Sequence, residues 1–523
     1  MEQAQRLSPN PGRCPLPLTQ GSSILSSPPT PHPPSRPLKE KLQRLQCHFT
    51  WDFEVKDKMN IRHSLVTLSL RLEHDPFCNR GTYLALKAYL RHLEGSPKEA
   101  LDILKEAKEV LRKEPQETFS RQVLLIYGNY AWICYHLIDY ERVDLYLGQI
   151  RQICRELSSP EPYSAPIPEV YAQKGWSLLA MGFRNGQLAR QCFQTALELQ
   201  EPNAELEEGL AFSTFASWTH CYDDKLQEEG QKLLEGLIRS QPENYEAKIY
   251  LAQILCWKDD ERAGYLADDV VQNSLNPELL RFAAKVIKTH STSQAISTLK
   301  KAITLQGDYY LLHYDLGMRY MYLLERGSEG NRAEIVEDAI ECFKRSLELD
   351  PGSVFSRVKL AKYGERCPLY EEEVYLGLME ELPTASKRCQ QSFYLHWGDF
   401  LLRKKGQRQA ALRAYRACLE VPGDHPLEQN QLEHRLKELA RAFRSEGEME
   451  QERVVQRLLH EVATKRWALR QNAGREWLAS IVPQMEARPP QPEARGLLGD
   501  GDLQCGPFQT PEERAQLRAA VYQ

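Results

Sequence analysis

Arginine and lysine gather in the last quarter of this chain. Arg403, Lys404 and Lys405 precede Arg408 in a turn; Arg435, Arg441, Arg444, Arg453 and Arg457 follow on helices; Lys465, Arg466 and Trp467 come next, with Arg470 close behind. Spaced cations that face one groove neutralise phosphates, and interleaved aromatic rings stack bases. Glu446, Glu448, Glu450 and Glu452 interrupt the run, so a solvated helix face explains the same residues at least as well.

No catalytic constellation competes with this. The chain contains no H-E-x-x-H, no G-x-x-x-x-G-K-S/T, no G-x-S-x-G and no paired metal-ligand spacing. Gly496, Gly499 and Gly501 sit in a proline-rich stretch rather than between a strand and a helix, so they read as linker. The 13 histidines are spread widely, and one such as His136 reads as satisfied structure. The 13 cysteines are scattered singly with no C-x-x-C, and Cys134, Cys192 and Cys342 fall at apolar helix positions. That is the pattern of reduced core thiols in a cytosolic protein. The expectation is a binding protein rather than an enzyme, with no cofactor, no metal and no small-molecule substrate. A net charge of −5 carries no global signature of nucleic-acid binding, which leaves local patches to decide. There is no leader pattern, no apolar run near the length of a membrane span and no N-x-S/T sequon, so the protein is expected in the cytoplasm without membrane contact.

The elements that must position any such site are helices. Residues 1–38 carry ten prolines among serines, from Pro9 to Pro37, and cannot bury enough surface to offset ordering entropy; they read as a disordered tail. From 39 to 480, Leu-, Ala- and Glu-rich segments alternate with Gly, Pro or Ser breaks. A Pro/Gly-rich linker (481–509) precedes a short helix at 510–523, where Thr510 caps, Pro511 opens the first turn and Glu513 closes a capping box. Within the helical body one triplet recurs at i, i+4 and i+7. It appears as Ala100/Leu104/Ala107, Val143/Leu147/Ile150, Ala189/Phe193/Ala196, Ala295/Leu299/Ala302, Ala339/Phe343/Ser346 and Ala411/Tyr415/Cys418. A small residue stands twelve positions earlier in several copies: Ala88, Ala131, Ser177 and Ala283. Gly182 and Ala189 read as packing residues between close helices. The pattern is that of tetratricopeptide repeats, helix pairs of about 34 residues that bury their faces only by stacking. The fold class is therefore all-α, a tetratricopeptide-repeat α-solenoid wound as a right-handed superhelix.

LQCHFTW at 45–51, AYLRHLEG at 88–95 and YGNYAWICYH at 127–136 resemble the interferon-induced proteins with tetratricopeptide repeats. Gly175-Trp176, LRFAAK at 280–285 and Leu312-His313 continue the resemblance in order, from about residue 40 to 465. The resemblance implies a cytosolic antiviral effector of innate immunity whose superhelix closes around a basic cavity. Some members sequester single-stranded RNA by its 5′ triphosphate or cap, and several assemble with themselves or with other members. Carried over residue by residue, Arg281 and Lys285 match a basic pair that faces RNA phosphates, and Trp176 matches a tryptophan beside the cap pocket. Tyr245, Lys248, His313 and Arg71 complete the candidate RNA-binding set. Elsewhere the match fails. A family lysine shortly after Gly-Trp is Ala180 here, a cap-contacting tyrosine is Gly186, a phosphate-facing arginine is Ala216, and a His-Gln pair is Tyr314-Asp315. Losing two cations and gaining a carboxylate weakens triphosphate binding, at roughly 1.5–3 kcal/mol per charged hydrogen bond. Preference for a 5′ triphosphate over a 5′ hydroxyl is expected to be small, and Ala180→Lys with Ala216→Arg to enlarge it.

Two functions remain: an RNA-binding antiviral effector, or a scaffold of the same family acting through oligomers or signalling partners without recognising RNA 5′ ends. The domain reading has its own test. Limited proteolysis should remove 1–38 and 487–507 rapidly while the body between them resists. A fragment starting near residue 40 that did not fold would move the boundary.

Overall fold

The computed structural model describes residues 36–465, apart from 52, 54–60, 75–78, 222, 326–331, 351–355, 358, 361–367, 385–386 and 423–425. The linker at 481–509, the helix expected at 510–523 and all but the last residues of the 1–38 tail lie outside the described residues. The first described helix, Arg36–Gln43, starts three residues before the expected boundary.

Among the described residues the architecture is all helical. Helix pairs follow in order: Arg80–Leu93 with Pro97–Leu111, Gln116–His136 with Tyr140–Glu156, Pro168–Ala180 with Gly186–Leu199, Ala204–Cys221 with Asp224–Ser240, and Tyr245–Trp257 with Arg262–Asn273. Pro277–Ile287 with Thr292–Leu305, Tyr310–Glu325 with Arg332–Leu349, and Lys387–Arg403 with Arg408–Glu420 continue the series. Pro426–Ser445 and a helix over 449–465 close it. Local chemistry starts these helices. Asp139, Asp223, Asn244, Asn276 and Ser291 each accept a hydrogen bond from a backbone N–H of the first turn, satisfying a donor with no intrahelical partner.

The recurring triplets form the seam. Every member of the six copies is buried, and so are Ala88, Ala131, Ser177 and Ala283. Glycine supplies the room: a Cβ on Gly175 would lie 2.8 Å from the Phe193 ring, one on Gly209 2.2 Å from the same ring, and one on Gly398 2.3 Å from Tyr415. Gly182 does not pack. It turns the chain at φ +110° with nothing near its missing Cβ, and Gly175 takes the packing role instead. Two further copies escape the sequence pattern, Gly230/Leu234/Leu237 and Ala263/Ala267/Val270, all buried. The first lacks the small residue at its end, and the second lacks a large one at its centre.

The segments that carry the resemblance interlock at the N-terminal end. The His48 ring lies 2.9 Å from the Asn129 amide and 3.0 Å from Ser177 Oγ, Asn129 donates to the Ala85 carbonyl, and Trp132 Nε1 donates to the Leu42 carbonyl. Burial pushes the His48 imidazole down to about 3, so it stays neutral at physiological pH.

One helix departs from the pairwise plan. Ile61–His74 lies across the first helices of successive pairs, touching Pro168–Ala180 and Pro277–Ile287. Arg71 forks onto Glu246 at 2.9 and 3.3 Å, His63 pairs with Tyr310 Oη at 3.0 Å, and Arg62 donates to the Leu349 carbonyl at 2.6 Å. Leu65, Leu68 and Leu70 bury against the central core, so the chain itself covers part of the inner face of its own array.

The seam is tested by a pair of adjacent substitutions. Ala189→Arg places a charge in a position without exposed surface and is expected to cost more than about 3 kcal/mol. Leu188→Arg, at a position 52% exposed, should change stability by no more than about 0.5 kcal/mol. Thermal melts of the two variants that coincide would overturn the repeat assignment at this pair.

Candidate functional site

Helix Pro277–Ile287 is set by its cap at Asn276 and by Pro277 in the first turn. That start places Arg281, Lys285 and Lys288 on one face, at i, i+4 and i+7. The next first helix, Tyr310–Glu325, presents Asp315 and Arg319 four residues apart. Arg281 and Asp315 are 34 residues apart in sequence and 3.1 Å apart in space, one repeat period bringing equivalent positions side by side. The same interval separates Lys285 from Arg319.

Arg281 forks onto Glu278 at 2.8 and 2.9 Å, and Tyr309 Oη donates to Glu278 at 2.6 Å. Asp315 Oδ2 lies 4.0 Å from Lys285 Nζ. Arg281, Lys288 and Arg319 are buried and Lys285 partly so. The cluster thus holds four cationic side chains against two carboxylates. Burial opposes the charge on Arg281, but Glu278, Tyr309 and Asp315 more than offset it and hold its pKa well above the usual arginine value. Burial would raise Glu278 likewise, and Arg281 with Tyr309 brings it down to about 2. On the lysines burial outweighs the pull of Asp315. Burial first, then Arg281, pushes Lys285 down to about 8; burial, Arg319 and Lys285 push Lys288 down to about 7. Arg319 is lowered by burial as well. An anion entering here meets four cationic side chains drawn together on neighbouring first helices.

Of the seven residues proposed from sequence, only Arg281 and Lys285 join this cluster. Arg71 is nearby along the inner face, spent on Glu246, which also accepts from Tyr250 Oη at 2.5 Å. Lys248 turns to the second helix of its pair, where its ammonium meets Asp269 and lies 4.8 Å above the Tyr245 ring. His313 stands two residues from Asp315, about 200° round the helix, and pairs with the Gly307 carbonyl at 2.9 Å. Trp176 packs edge-on against Phe193 and donates its N–H to Glu205 at 3.2 Å. Lys288 and Arg319 were missed. Both were legible, one as the third cation on the Arg281 face and the other as the repeat equivalent of Lys285.

The divergent positions close rather than open the groove. A Cβ on Gly186 would sit 2.4 Å from Ser217 N and 2.8 Å from Ala216 Cβ, and Ala216 has no exposed surface. Of the late basic residues, Arg435 pairs with Asp399 at 2.9 Å, Lys405 with Glu372 at 2.6 Å, Arg408 with Glu446 and Arg444 with Glu452, while Arg466, Trp467 and Arg470 lie outside the described residues. Among the described residues, no three His, Cys, Asp or Glu side chains group to hold a metal, and no helix is long and apolar enough to cross a membrane.

No family profile matches the chain. It is 28% identical over 405 residues to the human antiviral innate immune response effector IFIT1, covering 73% of this chain and 84% of the relative. The Macaca fascicularis IFIT1 is 30% identical over 345 residues, 62% of this chain and 71% of that protein. Human interferon-induced protein with tetratricopeptide repeats 2 is 28% identical over 387 residues, 70% and 79% respectively. Among solved structures, the human IFIT1 dimer with m7Gppp-AAAA superposes with a TM-score of 0.62 over 84% of this chain and 99% of that one, at 24% identity. A monomeric IFIT1 mutant with Gppp-AAAA gives 0.65 over the same shares, at 24% identity, so the fold is common to both.

Lys288 has a consequence for stability. Its folded-state pKa lies below its ordinary value, so the protonated form is penalised in full below pH 7, and the penalty fades as pH rises from about 7 towards 10.5. Lys288→Met should therefore raise the melting temperature, by more at pH 6 than at pH 9. A loss of stability that is greatest at pH 6 would mean that the ammonium is compensated in the folded protein.

Proposed function

Because this chain belongs to the family of interferon-induced proteins with tetratricopeptide repeats, we propose that it is a cytosolic antiviral effector that holds single-stranded RNA by its phosphates on the inner face of the array. The observation that carries this reading is the convergence of Arg281, Lys285, Lys288 and Arg319 around Asp315, with burial holding both lysines below their ordinary pKa. A phosphate placed among them accepts charge-assisted hydrogen bonds in a buried site and restores protons that burial disfavours on the two lysines. Support for the ligand class comes from IFIT1, named as an antiviral effector and solved with PPP-AAAA and with m7Gppp-AAAA.

Selectivity for the RNA end is where this chain departs. Ala216 abuts the Gly186 backbone, so Ala216→Arg does not restore a phosphate ligand: the guanidinium has no room and the variant overpacks the contact. A small preference for a triphosphate remains the expectation, and Ala216→Arg is not expected to enlarge it. A scaffold acting through oligomers is the second reading. It is favoured by the carboxylates that satisfy Arg71, Lys248 and Arg281 without any ligand, and IFIT1 itself has been solved as a dimer.

An electrophoretic binding assay at fixed salt with 5′-triphosphate, capped and 5′-hydroxyl RNA separates the readings. All three are expected to bind with similar affinity, and Arg281→Glu or Lys285→Glu to weaken all alike. Alanine at either position should flatten the log-log salt dependence by about 0.7 per lost contact on a single strand. Because phosphate binds the protonated lysines, affinity should fall as pH rises through about 7 and 8. Tight triphosphate-selective binding would show that the closed contact does not govern selectivity, and a protein that binds no RNA but forms oligomers would favour the scaffold.

A further inference from the structure

Beside the cation cluster runs a wall of aromatic rings. Phe212, Phe215, Trp218 and Tyr250 are 4%, 0%, 2% and 1% exposed, so their faces are closed to any ligand. Phe183 and Phe282 are only partly buried. Their rings lie nearly parallel, 16° apart in plane and 6.2 Å between centres. Arg281 and Lys285 sit over the Phe282 ring at 5.1 and 5.4 Å, so an aromatic face and phosphate-binding cations meet at one place.

Phe183 reaches this wall by an irregular route. It lies on a single 3-10 turn, Phe183–Asn185, between the two helices of its pair. Gly182 enters the turn at φ +110°, a conformation that favours glycine, and Gly186 ends it against the Ala216 and Ser217 backbone. The turn carries the ring to helices Ala204–Cys221, Tyr245–Trp257 and Pro277–Ile287, where it meets Phe215 and Tyr250 edge-on at 5.5 and 5.6 Å. A partly buried ring held on a short turn, not in the helix seam, can adjust to a planar ligand at little cost to the array.

We propose that Phe183, with Phe282, forms a stacking subsite for a nucleobase whose adjoining phosphate lies among Arg281, Lys285, Lys288 and Arg319. The inference rests on the phosphate-binding reading above and narrows the ligand from any polyanion to one that carries planar bases. Stacking on a ring accepts every base, so the subsite favours single strands without reading sequence.

The test compares a ten-residue oligoadenylate RNA with an abasic oligomer of equal phosphate number, at fixed salt, on wild type, Phe183→Leu, Phe183→Tyr and Lys285→Glu. Leucine keeps apolar packing and removes the ring; tyrosine keeps the ring. Wild type should prefer the oligoadenylate by about ten-fold. Phe183→Leu should abolish that preference while leaving the affinity and salt slope of the abasic oligomer unchanged, Phe183→Tyr should retain it, and Lys285→Glu should weaken both probes together. Thermal melts of both Phe183 variants within a few degrees of wild type establish that the array is intact. Should the leucine variant melt far lower, Phe183→Tyr alone decides, since loss of the preference with the ring retained overturns the proposal. Equal binding of the two probes by wild type, or an undiminished preference in Phe183→Leu, overturns the stacking subsite and leaves phosphate binding standing. Binding of neither probe overturns both.

Discussion

Close approach of paired helices is the constraint on which everything else in this structure depends. Phe193 has no exposed surface because Gly175 on one side and Gly209 on the other leave no Cβ to obstruct its ring. A helix pair has only one such seam and cannot bury the remaining apolar surface alone; stacking supplies the rest, and the central core runs continuously from the helix at 61–74 to Phe343. The period of that stacking then decides which polar residues meet. Arg281 and Asp315 come within hydrogen-bond distance because each occupies the same place in successive units.

Regular stacking produces charge imbalance as readily as balance. Repeating one helix face along the array sets Lys285 beside Arg319 and Lys288, where burial of the two lysines outweighs the pull of Asp315. A compact domain could repack such a face, whereas a solenoid has it fixed by the packing on the opposite side of the same helix. The cost appears as depressed lysine pKa values, and an anion removes it on binding. Affinity and proton uptake are thus coupled through the same two ammonium groups.

Much of the fold was legible in the sequence because helical periodicity and small-residue spacing are local signals. The triplets named the buried face in six helix pairs and missed it in two, Gly230/Leu234/Leu237, where a leucine stands at the end, and Ala263/Ala267/Val270, where no large residue stands at the centre. Gly182 was misread because a glycine that turns the chain and one that admits a ring look alike in a string of letters. The site was legible only in part. Arg281 and Lys285 followed from the resemblance; Lys288 and Arg319 follow from the period. The partners of Arg71 and Lys248 do not, because Glu246 is met by a helix 175 residues away in sequence and Asp269 lies on the second helix of the pair.

The divergence at 186 and 216 carries the argument furthest. Read as letters, Gly186 and Ala216 are two deletions of side-chain chemistry from an otherwise intact groove. Read as geometry, they are one contact: the start of helix Gly186–Leu199 lies against the backbone of Ala204–Cys221, and neither position has space for a larger residue while that contact exists. The turn that leads into the contact is the one that carries Phe183 to the aromatic wall. The helix contact, the turn and the placement of the Phe183 ring are therefore parts of one local arrangement. It follows that a single larger side chain at 186 or 216 meets packed backbone rather than open space.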